Sequence, residues 1–355
     1  MAYTTIDDPF KFFNTVLYTG NGSARTITGV GFQPDWVWLK GRSDTSNNFV
    51  YDSVRGDNLF LQTNKNNADG NATTSSAGGI GSQASDGFTI VAGTSNTDNV
   101  NTSGSTYVAW NWLAGGSASS NSNGSITSSV SANTTAGFSI ATYTGTGSNA
   151  TVGHGLGTAP AWVLVKERGA AGESWNNFHQ SLGAGKTIML NLTNAEQSSS
   201  TMWNNTVPTS SVFSVGADAG SNGSSKTYVA YCFAEKKGYS KFGSYTGNGS
   251  TNGTFVYTGF RPAFVITKRT DGAVDWYMFD NKRQNSFNVV NGMLRPSANS
   301  VELDDSSVYV DFLSNGFKWK GNNAGDNTSG GTYIFMAFAE APFVTAGTKA
   351  PGTAR

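Results

Sequence analysis

Apolar residues fall in short runs separated by polar turns rich in glycine. Trp36-Val37-Trp38-Leu39 mixes β-branched and aromatic residues without a polar break, the mark of a buried strand. Pro34 precedes it, a place where a strand tolerates proline. Phe49-Val50-Tyr51-Asp52 and Thr106-Tyr107-Val108-Ala109-Trp110-Asn111-Trp112 read as further strands, and Ser85-Asp86-Gly87-Phe88-Thr89-Ile90-Val91 as a turn entering one. Asp69-Gly70, Asp86-Gly87, Asn222-Gly223, Asp271-Gly272, Asn291-Gly292 and Asn315-Gly316 are hairpin signals. Helical patterning is confined to a candidate turn at Ala195-Glu196-Gln197. The pattern predicts an all-β chain of antiparallel sandwiches.

The strands recur. Leu17-Tyr18-Thr19-Gly20-Asn21-Gly22-Ser23, Thr142-Tyr143-Thr144-Gly145-Thr146-Gly147-Ser148 and Ser244-Tyr245-Thr246-Gly247-Asn248-Gly249-Ser250 each end a strand in a Gly-x-Gly turn. From that Tyr to the aromatic of the next landmark is 18, 19 and 19 residues (Trp36, Trp162, Phe264). From the same Tyr to the Thr of the last strand is 88, 84 and 87 (Thr106, Thr227, Thr332). Such spacing predicts three internal repeats, with a period that suits tandem domains better than a solenoid. The expected boundaries are an N-terminal arm at 1–14, modules at 15–115, 136–238 and 239–343, a Gly/Ser/Asn-rich flexible linker or long loop at 116–135 and a loose tail at 344–355. In the arm, Phe10, Phe12 and Phe13 have two readings. Either they fold back onto the first module, or they form an arm that attaches the chain to a partner.

Composition narrows the function classes. Charged residues make up 13% and hydrophobic residues 37%, while aromatics reach 12%, enough to build cores without helices or disorder. The 23 basic and 23 acidic side chains balance, and no basic stripe appears, so nucleic acid is not an expected partner. Cys232 stands alone beside two histidines, which excludes an intrachain disulfide and a Cys/His zinc site. The opening Met1-Ala2-Tyr3-Thr4-Thr5-Ile6-Asp7-Asp8-Pro9 lacks a signal-peptide pattern, and no apolar run approaches a membrane span. Synthesis in a cytoplasm without membrane insertion is the expectation.

Candidate chemistry is sparse. A serine triad would need His154, in a glycine-rich turn, or His179; surface loop positions are expected for both. Adjacent carboxylates at Asp7-Asp8 and Asp304-Asp305 face opposite ways on a strand and suit turns better than a glycosidase pair. Gly145-Thr146-Gly147 lacks the rest of a phosphate loop. Asp and Asn loops offer oxygen ligands to calcium, but no EF-hand pattern is present, and no cofactor or metal site is assigned. One charge pattern does recur: Lys40/Arg42, Lys166/Arg168 and Lys268/Arg269 at strand ends, with Asp52/Arg55 matched by Asp280/Arg283. A partly buried ion-pair network is favoured over a polar ligand site, because the second module lacks the Asp. Trp175, Trp203 and Trp276, in polar surroundings, are the candidates for an exposed ligand or receptor platform.

Together with the first turn, Gly31-Phe32-Gln33-Pro34-Asp35-Trp36-Val37-Trp38, Tyr51-Asp52-Ser53-Val54-Arg55-Gly56, Ser85-Asp86-Gly87-Phe88-Thr89 and Tyr107-Val108-Ala109-Trp110-Asn111-Trp112 carry a resemblance. The chain resembles a family of virion proteins of tailed bacteriophages, many of them marine, described as tail fibre or virion structural proteins. The resemblance is strongest over 15–115. It implies a non-enzymatic virion protein with jelly-roll or lectin-like modules, assembled in the host cytoplasm. Its partners would be other virion proteins, further copies of itself in a homo-oligomer (a trimer by analogy) and a glycan or protein of the host surface. A tail fibre or appendage is the first expectation, a capsid decoration or head-associated protein the alternative, and a glycan depolymerase the least favoured. No functional residues come with the resemblance.

Overall fold

The computed structural model describes residues 3–94, 100–284, 288–304 and 307–345. Among them, regular structure is almost wholly β, with a helical turn at Pro9–Lys11 and a four-residue helix at Ala219–Asn222. Most of the tail expected at 344–355, and Asp305, lie outside the described residues.

Three large antiparallel sheets share one strand order. Each has a leading strand (Phe13–Thr19, Phe138–Thr144, Ser240–Thr246) and, next to it, a closing strand (Thr106–Trp112, Thr227–Phe233, Thr332–Pro342). Then come a central strand (Trp36–Gly41, Trp162–Glu167, Phe260–Arg269) and a fourth strand (Asn48–Asp52, Asn176–His179, Tyr277–Asp280). The registers correspond: Trp36, Trp162 and Phe264 pair with Asp52, His179 and Asp280. Thr19, Thr144 and Thr246 pair with Thr106, Thr227 and Thr332.

Both faces of each large sheet are buried, which is why these strands read as unbroken apolar runs. Successive side chains alternate between two cores. Val37, Leu39, Tyr107 and Ala109 face a small sheet of Arg25–Thr28, Gly79–Ala84 and Gly87–Val91. Val163 and Val165 do the same in the second sheet, and Val265, Tyr333 and Phe335 in the third. The opposite faces of all three meet in one central core. Trp36 lies 4.8 Å from Tyr231, Phe13 5.2 Å from Phe338, and Phe233 6.0 Å from Phe338, ring centre to ring centre. The three segments are therefore packed round a common axis rather than strung out.

One expectation is corrected here, and a choice between two readings is decided. Residues 116–135 are not a free linker: Ser119–Asn121 and Ser128–Asn133 extend the second large sheet, with Ser129 opposite Thr142. Their small polar side chains suit an edge, and buried Ile126 and Val130 anchor them. The aromatic arm belongs to the fold itself. Phe13 is the first residue of its strand and is fully buried, Phe12 packs edge-on against Tyr239, and Lys282 sits over the Phe10 ring. Tyr3 donates to the carbonyl of Gly259, so the arm is sewn onto the third segment.

Candidate functional site

The Gly-x-Gly turns that mark the sequence are held by one device, present three times. A buried Asn lies five residues before the Thr of each closing strand: Asn101, Asn222 and Asn327. Its side-chain oxygen accepts from the amide of the middle turn residue (Asn21 at 3.1 Å, Thr146 at 2.8 Å, Asn248 at 3.0 Å). Its side-chain nitrogen donates to the carbonyl of Ser23, Ser148 or Ser250. The motif Tyr reaches past the turn to a backbone carbonyl (Val100, Ser221, Asp326) and stacks on the Tyr that is the second residue of the closing strand (Tyr107, Tyr228, Tyr333) at 4.8–5.1 Å. Glycine is required at the first turn position. A Cβ on Gly20, Gly145 or Gly247 would lie 2.1–2.3 Å from a backbone oxygen.

The charged residues singled out above lie at the seams between sheets. At the first seam Arg55, paired with Asp52, also donates to Asp69 at 2.6 Å; Arg168 of the second segment donates to the other Asp69 oxygen at 2.7 Å. At the seam between the third and first segments, Arg283 pairs with Asp280 and Glu302, and Arg42 donates to Glu302 at 2.6 Å. Burial opposes ionisation of Asp280, but the Arg283 charge and hydrogen bonds prevail and hold its pKa below the usual range. Lys40, Lys166 and Lys268 are buried and donate to the carbonyls of Gly41, Glu167 and Arg269. Burial pulls each ammonium down to about 8. Arg269 alone stands apart, paired with Asp271 near the surface.

The seams are cyclic. The amides of Asp69, Glu196 and Glu302 donate to the carbonyls of Arg168, Thr270 and Arg42, each on the adjoining segment. The side-chain nitrogens of Trp175, Trp276 and Asn48 donate to the carbonyls of Gln62, Met189 and Arg295, across the same three seams in the opposite sense. Tyr231 reaches Asp52 at 2.7 Å, and Trp110 reaches Asp280 at 2.9 Å. Where the second segment lacks the Asp, His179 accepts from the Ser181 amide and faces the carbonyl of Phe335 at 3.3 Å. The third segment offers Met336 at the place of Trp110, so it has no side-chain donor for an acid to receive.

The exposed platform is overturned. Trp175, Trp203 and Trp276 are 0–1% exposed. A polar neighbour in sequence does not mark a surface here: Asn176 and Asn177 beside Trp175 are themselves buried in the fourth strand, and the indole of Trp175 or Trp276 is a seam donor. The histidines are likewise buried: His154 is held between the Leu156 amide and the Thr209 carbonyl. Sequence reasoning missed the stapling Asn, although its constant distance from the closing strand was a usable signal.

Among the clefts of the described residues, two lie at the ends of the large sheets. One, of about 440 Å³, lies between the second and third segments, and one of about 380 Å³ lies beside the leading strand of the second. Hydroxyl side chains line both. The family described as Domain of unknown function (DUF7483) matches residues 8–342. No curated protein and no solved structure matches the chain.

Proposed function

We propose, for a chain that belongs to the family of the domain of unknown function DUF7483, a non-enzymatic structural role on the virion of a tailed phage. Its place is a tail fibre or other appendage that contacts the host cell. The observation that carries this reading is the closure of three like sheets on one core through cyclic seams. We read it as three copies of one β-sandwich module, of jelly-roll kind, fused in a single chain. It gives one polypeptide the symmetry that appendage proteins otherwise reach by assembling three. The seam acids are held by arginines or, at Glu196, by a lysine, and the histidines by backbone groups, an arrangement suited to a durable particle component rather than to acid–base chemistry. Other virion proteins would hold this body, alone or as a homo-oligomer, with a host-surface glycan or protein opposite.

A second reading, a head decoration protein, is favoured by the same cyclic closure, since one chain would match a local three-fold position on a shell. Immunogold electron microscopy of intact phage separates them. Gold on the tail supports the appendage, and gold over the head selects decoration. No gold on any particle overturns both.

A further inference from the structure

We propose that the cleft between the second and third segments binds a neutral saccharide. The inference takes its biological meaning from the host-attachment reading, but its chemistry stands on the cleft alone. At about 440 Å³ the cleft is within the size of a ligand site and fits a disaccharide. Ser244 and Thr246 of the leading strand and Thr332 of the closing strand form one wall; Ser181 and the Lys186–Glu196 pair form the other.

Three observations point to a sugar. First, the hydroxyls of Ser181, Ser244 and Thr246 make no hydrogen bond to another described residue, so their donors and acceptors are open to a ligand. Thr332, by contrast, is bonded to Thr270 at 2.7 Å, which fixes the wall behind them. Second, among the described residues the only charges on the lining are Lys186 and Glu196, and they neutralise each other. A charged ligand would have to break that pair, whereas vicinal hydroxyls of a neutral sugar can donate to the carboxylate and accept from the ammonium together. Third, the partly buried Leu182 supplies a small apolar surface for the C–H face of a pyranose. The walls come from two segments, and the Glu196 amide is tied to the Thr270 carbonyl at 2.8 Å, so the cleft is built when the seam forms. The site is therefore pre-organised.

The test is saturation-transfer NMR on the full chain with lactose, maltose, cellobiose and N,N′-diacetylchitobiose, and glucuronic acid as the charged control. At least one neutral disaccharide is expected to bind, in the millimolar range typical of such sites. Filling the cleft from either wall, with Ser244→Phe on the exposed strand face or Ser181→Tyr on the exposed loop, is expected to weaken binding at least ten-fold. Thr26→Phe, on an outer sheet, is expected to leave it unchanged. Failure of all four sugars to bind overturns the proposal, as does binding that survives both filling variants or a preference for glucuronate. The result is independent of gold labelling. A sugar-binding chain absent from the virion would sink the attachment reading and leave the cleft; a virion chain that binds no sugar would do the reverse.

Discussion

A side chain that satisfies several backbone groups at once is hard to replace, and Asn222 is such a residue. It bonds the Thr146 amide and the carbonyls of Ser148 and Gly216 while fully buried. At about 1 kcal/mol for each bond, Asn222→Ala is expected to lose about 2–3 kcal/mol in urea unfolding. The exposed Asn123→Ala should change little. His179 makes a prediction about pH. Burial lowers its pKa from 6.5 to about 4, so it stays neutral in the fold while the unfolded chain takes up a proton below 6.5. The unfolded state thus binds more protons between those values. Stability is full above pH 6.5 and falls by up to about 3 kcal/mol on acidification towards 4. His179→Gln should flatten most of that slope in melts across the window; His154, also lowered by burial, leaves a remainder. At this scale the sequence was a poor guide to exposure. Trp175 and Trp276 sit among Ser, Asn and Asp, yet both indoles end at a seam, bonded to a carbonyl of the adjoining segment.

Between elements, charge placement decides which pairs matter. Asp69 receives two arginines from two segments at a site that is 14% exposed. Asp69→Ala leaves both guanidinium groups without it, and a loss of about 3 kcal/mol is expected. Glu235→Ala breaks the half-exposed pair with Lys241 and should cost under about 1 kcal/mol. Chemical denaturation of the two variants side by side checks the contrast. The strands themselves were legible because two-sided burial writes continuous apolar runs, as in Trp36–Leu39. The recurring Lys and Arg at strand ends were legible as a network, but not as seams, since Asp69 and Glu302 come from loops without a shared motif. The stretch 116–135 misled because composition reports solubility, not pairing. Nothing in Ser119–Asn121 announces the sheet edge that it covers.

The whole molecule has one central core, and no segment could close it alone. Residues 15–115 by themselves would expose Trp36, Trp38, Trp110 and Trp112, each of which contributes on the order of 3–5 kcal/mol when buried. That fragment is expected to be unfolded or aggregated by circular dichroism and sedimentation. The full chain is expected to melt in one calorimetric transition, with van't Hoff and calorimetric enthalpies equal; three separate transitions would contradict a shared core. The seam between the third and first segments has a further consequence. Tyr3 and Phe343 lie 6.4 Å apart, ring to ring, so the two ends of the described fold are neighbours. A closed ring has no first member. Joining residue 345 to residue 3 through a short linker and opening the backbone at the exposed Lys237 should give a circular permutant with the same fold. Its order of synthesis would be third segment, first, second.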